Sequence, residues 1–336
     1  MKIQIFTPPF SPDFSAIVPV LYEGLALQIK QNQAFATEHL VAGFLLCTEN
    51  GAPLARAALY QNPDLRLEGQ PCLALGAYEC VADAAASKAL LDAVIDHAKR
   101  HFPGQRIVGP MDGSTWQTYR FVTAGAEKAP FLLEPFGLPH YPAQWLDFGF
   151  EPLMEYHSQL AHFDESDRVD FSALQQKFED NGLVFRNLNL NDADGELWRL
   201  ARFNLSAFQE AFLFTPISEE DFVEKNRRTL AFLKPELVHL ALEGDTICGL
   251  IFAYPDLLDP AGKTAVVKTL ARLPGEHLRG LGELLCAKIV ASLLDLGYQR
   301  MVHALMRKGN ASLGNSARFW GEPYKSYTLF QLPATQ

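Results

Sequence analysis

The sequence predicts an α/β (α+β) fold of two tandem domains, each a mixed central sheet flanked by helices. Three observations predict it. One order of segments, β-β-β-α-β, occurs twice along the chain. The 336 residues suit two ordinary domains. A hydrophobic content of 48% against 20% charged residues describes a globular chain able to fill two cores.

In the first copy, apolar runs at 40–47 and 52–60 read as strands around the turn Thr48-Glu49-Asn50-Gly51. A third strand follows at 72–80. Leu90, Leu91, Val94, Ile95 and Ala98 then recur with helical spacing, Gly104 lies just beyond, and 106–109 reads as the next strand. In the second copy, strands at 237–242 and 248–254 flank Glu243-Gly244-Asp245, and 264–273 is the third strand. Leu281, Leu285, Ile289 and Leu293, each four apart, make one buried helical stripe that Gly297 ends. The next strand is 298–306. The join falls near 161–180, a charged stretch leading into a short helix at 171–178, and a strand at 183–188 opens the second copy. The domains are therefore 1–165 and 166–336.

No apolar run reaches the roughly 18 residues of a membrane span. The start, Met1 to Pro9, is too short and too broken by proline for a signal peptide. Cys47, Cys72, Cys80, Cys248 and Cys286 form no C-x-x-C pair and sit among apolar neighbours, as buried thiols in a reducing cytoplasm would. The nine histidines show no H-E-x-x-H or H-x-H pairing, so no metal is expected. The net charge of −10 is uneven: −8 over residues 1–165 and −2 over 166–336. An acidic first half makes a poor footprint for nucleic acid. It suits a cationic small substrate, or simply solubility.

The stretch from Val266 to Glu283 reads as a strand, a glycine-bearing turn and a helix start. That order builds an anion site, with backbone N–H groups and the helix dipole both favouring negative charge. The turn is His277-Leu278-Arg279-Gly280-Leu281-Gly282. It resembles the acyl-CoA loop Gln/Arg-x-x-Gly-x-Gly/Ala of the GNAT superfamily, the GCN5-related N-acetyltransferases, with His at the first position. His303 to Ser312 and Ser316-Ala317-Arg318-Phe319 resemble the fifth strand and following helix of that superfamily. The resemblance covers roughly residues 183–332. It implies acetyl-CoA, or another acyl-CoA, held by N–H groups from Leu278 to Glu283. Arg279 would add charge, Leu270 and Arg272 backbone groups for the pantetheine amides, and Asn310 a contact to the arm. The first half resembles the same fold in degenerate form: 80–89 holds no glycine, and Asp83 stands where phosphate would sit.

GNAT chemistry, by that resemblance, is direct attack of an amine on the thioester, with a base for the amine and a donor for the oxyanion. The thiolate is often protonated by a Tyr beyond the fifth strand, and Tyr324 and Tyr327 are both candidates. Lys268 stands where many relatives carry a carboxylate, and lysine is a poor base unless desolvated. His303 titrates near neutral pH, or is a packed strand histidine. Glu210, at the end of the first helix of the second half, binds a substrate ammonium, acts through water, or lies on a solvated helix face. Its neighbour Gln209 can only hydrogen-bond. Phe208, Phe212, Phe214 and Pro216 form an apolar acyl or acceptor channel, or core. Trp116, Tyr119 and Arg120 make an aromatic–cationic cluster in which Arg120 can bind a carboxylate, or a turn around a packed Trp.

The expected protein is a cytoplasmic N-acetyltransferase acting on an amine of a small molecule. It needs neither nucleic acid nor membrane as partner, and a homodimer fits it. Two other readings stay open: a non-catalytic CoA-binding or scaffold protein, and a transferase of a longer acyl or aminoacyl group.

Overall fold

A computed structural model describes residues 1–8, 12–227, 229–230 and 233–333. The proline-broken start thus runs, at Pro9, outside the described residues. The first half holds β1 (Lys2–Phe6), α1 (Ile17–Leu21), α2 (Ala26–Gln33), β2 (Leu40–Cys47), β3 (Pro53–Tyr60), β4 (Arg66–Leu67) and β5 (Gln70–Cys80). It continues with α3 (Ala84–His101), β6 (Arg106–Gly109), β7 (Phe121–Ala124), α4 (Tyr141–Phe148) and β8 (Glu151–His162). The second half holds α5 (Ser172–Glu179), β9 (Leu183–Asn187), α6 (Ala193–Phe208), α7 (Glu219–Arg227), β10 (Val238–Glu243) and β11 (Thr246–Pro255). It ends with β12 (Thr264–Arg272), α8 (Leu281–Asp295), β13 (Arg300–Arg307), α9 (Ala311–Arg318) and β14 (Glu322–Leu332).

One mixed sheet crosses the whole molecule in the order β1-β2-β3-β5-β6-β14-β8-β13-β12-β11-β10-β9. Parallel pairing occurs twice among the described residues, β5 with β6 and β12 with β13. A parallel pair needs a long crossover, and α3 and α8 supply it. Their apolar stripes are the reason they pack there: Leu90, Leu91 and Val94 on α3, and Leu281, Leu285 and Leu293 on α8, are fully buried. Gly297, at φ +77°, follows the last residue of the α8 cap, as a C′ glycine does.

The two halves exchange their last strands. β6 of the first half is paired by β14, the end of the chain, with Leu332 opposite Ile107. β13 of the second half is paired by β8, with His303 opposite Gln159. β14 and β8 then pair with each other from Glu322–Leu160 to Gln331–Glu151. The connection between the repeats at 163–171 therefore joins two halves of one sheet, each of which contains a strand of the other.

The core follows the sheet. One cluster lies under α3, and a second lies under α8. A third, on the opposite face, is shared: it holds Tyr60, Ala74 and Val108 of the first half with Tyr254, Val266 and Val302 of the second. All five cysteines are buried and free. No helix among the described residues is long and apolar enough to cross a membrane, and no group of three metal-ligating side chains occurs among them.

Candidate functional site

β12 and β13 run together for four residues, from Thr264–Arg300 to Val267–His303, and then part. At the parting β12 bulges. Val267 lies opposite Ala253 and Thr269 opposite Phe252, which leaves Lys268 as the extra residue with no partner on β11. Beyond it, Leu273 donates its N–H to Cys248 O, 2.9 Å. Antiparallel pairs alternate between bonded and unbonded. The N–H and C=O of Leu270 and Arg272 therefore point away from β11, into the gap.

The turn closing this gap is held by backbone conformation. Gly280 caps α8 at φ +91°, a left-handed value that favours glycine. It offers no side chain to the first turn, so the N–H groups of Leu281 and Gly282 are left without a side-chain cap. A Cβ at Gly282 would come 3.1 Å from the Asn315 amide nitrogen of α9. Of the neighbouring residues, Leu278 is buried and anchors the turn. His277 lies 3.6 Å from Glu243, and Arg279, highly exposed, 3.6 Å from Glu276. Arg272 folds back on Leu273 O at 2.9 Å. Glu283 is tied to Arg318 of α9 at 2.8 Å. Asn310 is exposed and spends its amide oxygen on the Ser312 N–H, capping α9. In the carried-over role it would have to leave that cap.

The same place in the first half is closed. Asp83 accepts from Ala85 N at 2.7 Å and Ala86 N at 3.0 Å, so a carboxylate occupies the start of α3. Along the tail of β5, α4 takes the backbone groups. Gln144 donates to Val81 O at 2.8 Å, His140 bonds Cys80 O at 2.9 Å, and Cys80 N donates to the Tyr141 hydroxyl at 3.3 Å. At the bulge, Ala77 N donates to the Asp112 carboxylate at 2.8 Å.

On the shared face the two halves meet around Trp116 and Arg120. Trp116 donates to Thr215 O at 2.9 Å and packs edge-on against Phe214 and Phe222. Lys225 donates back to Trp116 O. Arg120 lies against the rings of Tyr119 and Tyr156, 3.8 and 3.9 Å from their centroids, and donates to Leu305 O at 3.3 Å. Lys268 is open to solvent yet surrounded by protein; burial first, then the charges of Arg120 and Lys225, lower it to about 8. Leu213, Arg120 and Leu305 all have positive φ, at +56°, +72° and +59°. Strain in non-glycine residues gathers at functional sites. Of Phe208, Phe212, Phe214 and Pro216, expected to line an apolar channel or core, Phe214 packs against Trp116 and Phe212 against the shared core.

The expected acids and bases are scattered. His303 shares a face with Met301 and the core under α8. It is 6% exposed, its nearest polar partner is the Met301 sulfur at 3.2 Å, and burial lowers it to about 4. Burial with only a sulfur partner favours the packed-histidine reading over the catalytic one. Tyr327 is fully buried and donates to Glu134 at 2.6 Å, which with burial pushes its phenol well above the usual range. Tyr324 donates to Ala129 O at 2.6 Å, and burial raises it. Glu210 is an exposed carboxylate in the turn after α6.

A buried network that sequence reading missed holds the parting of the strands. Leu305 N donates to Ser158 Oγ at 3.1 Å, Ser158 donates to the Tyr327 hydroxyl at 3.2 Å, and Tyr327 donates to Glu134. Lys325 completes it with an ion pair to Glu134 at 2.9 Å, both side chains almost wholly buried.

No protein-family model matches the chain, and no curated protein matches its sequence significantly. Solved structures do match its fold. A GCN5-related N-acetyltransferase from Sphaerobacter thermophilus aligns at TM-score 0.58 and 11% identity, over 99% of this chain and 96% of that one. The tandem GNAT protein of the clavulanic acid biosynthesis pathway aligns at 0.55 and 11%, over 100% and 99%. A GCN5-related glucosamine N-acetyltransferase region of a fungal multi-domain β-N-acetylglucosaminidase aligns at 0.59 and 12%, over 98% of this chain; this chain spans only 38% of that one. With two β-β-β-α-β units, two parted parallel strand pairs and these neighbours along its whole length, the chain has a tandem GNAT fold.

Proposed function

We propose that the second half binds an acyl-CoA, acetyl-CoA first among them, and transfers the acyl group to a primary amine of a small molecule. The observation that carries this reading is the parting of β12 from β13 beside an α8 N-terminus with no side-chain cap. The backbone groups of Leu270 and Arg272 line the gap for amides of the pantetheine arm. The N–H groups at Leu281 and Gly282 end it with a place for phosphate. The packing of Trp116 on Phe214 and Phe222 leaves little room for a long acyl chain on that side, which favours acetyl.

Lys268 is the residue placed for proton transfer. A conjugate acid near pH 8 is poised for general base work at neutral pH. Neutral Lys268 takes the proton of the acceptor ammonium. The freed nitrogen attacks the thioester carbonyl, the C–N bond forms and the C–S bond breaks. The same Lys268, now an ammonium, returns that proton to the leaving thiolate, and, neutral again, takes the second proton shed by the acylated nitrogen and releases it to solvent. The unpaired backbone of the bulge lies beside the developing oxyanion.

Thermal shift and calorimetry with CoA and acetyl-CoA test the binding, and thioester loss across a panel of small amines tests the turnover. Stabilisation by CoA with loss of thioester is the expected result. CoA stabilisation with no turnover of any amine would make the protein a binding module, and no stabilisation at millimolar CoA would remove the reading altogether.

A further inference from the structure

We propose that the acceptor amine also carries an anionic group, a carboxylate or a phosphate, and that this group seats on Arg120 and Lys225 where the halves meet. The inference rests on the acyl-transfer reading above and names the chemical class of its acceptor.

Arg120 is 6% exposed and has no acid partner within ion-pair distance among the described residues. The rings of Tyr119 and Tyr156, set edge-on to each other with centroids 5.9 Å apart, both lie close against its guanidinium, so part of the cation is shielded and the rest is left for ligands. One nitrogen, Nη1, is used weakly by Leu305 O at 3.3 Å, and Nε, shielded from solvent, has no partner. A guanidinium fixed by two aromatic rings presents its free N–H groups as a fork that matches a carboxylate or a phosphate. A buried permanent charge with no counter-charge is costly. The other nearly fully buried cation of the shared seam, Lys325, has its carboxylate in Glu134. Arg120 has none.

The surroundings repeat the pattern. Lys225 reaches only the carbonyl of Trp116, with Glu38 the one acid whose charge bears on it and no ion pair formed. Lys268 has no ion pair either among the described residues, and its positive neighbours are Arg120 and Lys225. Three cations without an ion pair among the described residues therefore lie within electrostatic reach at one seam of a chain whose net charge is −10. A positive site in an acidic protein draws anions to that point and away from the rest of the surface. An acceptor with its anion on Arg120 and Lys225 would turn its amine toward Lys268, at the bulge beside the acyl slot.

The test uses the full chain, with and without saturating CoA, and paired amines: the common amino acids against their carboxamides, and aminoalkyl phosphates against the matching aminoalcohols. Calorimetry reads binding, and thioester loss reads turnover. The anionic member of the preferred pair should bind at least tenfold tighter than its neutral partner, and Lys225→Met should cut that ratio at least threefold. Arg120→Gln should abolish the preference. If that variant does not fold, Lys225→Met decides, because Lys225 lies at the exposed rim. Preference confined to carboxylates identifies an amino-acid-like acceptor, and preference confined to phosphates an aminoalkyl phosphate; both support the site. Equal or tighter binding of the neutral members, or no binding by any anionic amine, overturns it. Anionic preference without turnover would leave the anion site standing and remove acyl transfer. Turnover of neutral amines alone would do the reverse.

Discussion

The two halves carry the same strand–crossover–strand unit, and they treat its binding slot in opposite ways. In the second half α8 starts on Gly280 with its first N–H groups uncapped, and β12 leaves backbone groups facing an open seam. In the first half Asp83 sits on the corresponding N–H groups of α3. Gln144, His140 and Tyr141 occupy the tail of β5, and Asp112 takes the N–H of Ala77 at the bulge. The first half has thus satisfied from within the backbone groups of Ala77, Cys80, Val81, Ala85 and Ala86 at the corresponding positions. It also contributes to the other half: Trp116 and Arg120 bond across to it, and β8 flanks β13. One fold leaves these groups open in one copy and closes them in the other.

The largest effect is expected at Lys268. With a group near pH 8 as base, kcat/KM should rise about tenfold per pH unit below that value and level off above it. Lys268→Met should remove that limb and lower the rate by about 10²–10⁴-fold. A rate independent of pH between 6.5 and 8.5 in the parent protein would show that Lys268 carries no proton in the reaction.

Next comes the seam. Glu134→Gln leaves the Lys325 ammonium buried and unpaired, which should cost about 3–5 kcal/mol. Because Glu134 lies in the first half and Lys325 on a strand the second half lends to it, calorimetry should show one melting transition shifted as a whole. Two transitions, with only one shifted, would mean that the halves fold as separate bodies despite the exchanged strands.

The slot itself is tested at Gly282. This residue is helical, so aspartate fits its backbone, and its new Cβ meets the Asn315 amide at 3.1 Å and touches Leu270 Cδ2 at an ordinary 4.0 Å. Gly282→Asp should weaken CoA binding by about a hundredfold, roughly 2.7 kcal/mol, with the circular dichroism unchanged. Gly280 is the poorer choice, because its φ of +91° strains any other side chain.

What could be read in advance was local. The strand, turn and helix of the slot are contiguous, so spacing alone located β12, Gly280 and α8. β8 and β14 escaped notice because their burial is mixed and their purpose is to be exchanged: Lys325 looks like a surface residue until Glu134 is beside it. The meeting of the halves depends on contacts far apart in the chain, 99 residues from Trp116 to Thr215 and 185 from Arg120 to Leu305. The type of Arg120 suggests a carboxylate ligand, but nothing in the sequence places it near Lys268. The acidic average of the first half suggests a cationic substrate, whereas Arg120, Lys225 and Lys268 group without an ion pair among the described residues. Alternation along β13 puts His303 on the face of Met301, where it is buried, a fact that a single titrating residue in a sequence does not reveal.

The smallest effect separates a lost slot from a masked one. Asp83→Ala removes the cap of α3 and should destabilise the protein by about 1 kcal/mol. It also frees the N–H groups of Ala85 and Ala86. If the cap alone kept phosphate out, the variant would bind a second equivalent of CoA. The side chains of α4 argue that it will not, since they still hold Val81 O, Cys80 O and Cys80 N. Calorimetry should therefore find at most one CoA per chain in both proteins, with an affinity changed less than twofold. A second equivalent in the variant would show that the first half keeps a working slot behind a single carboxylate.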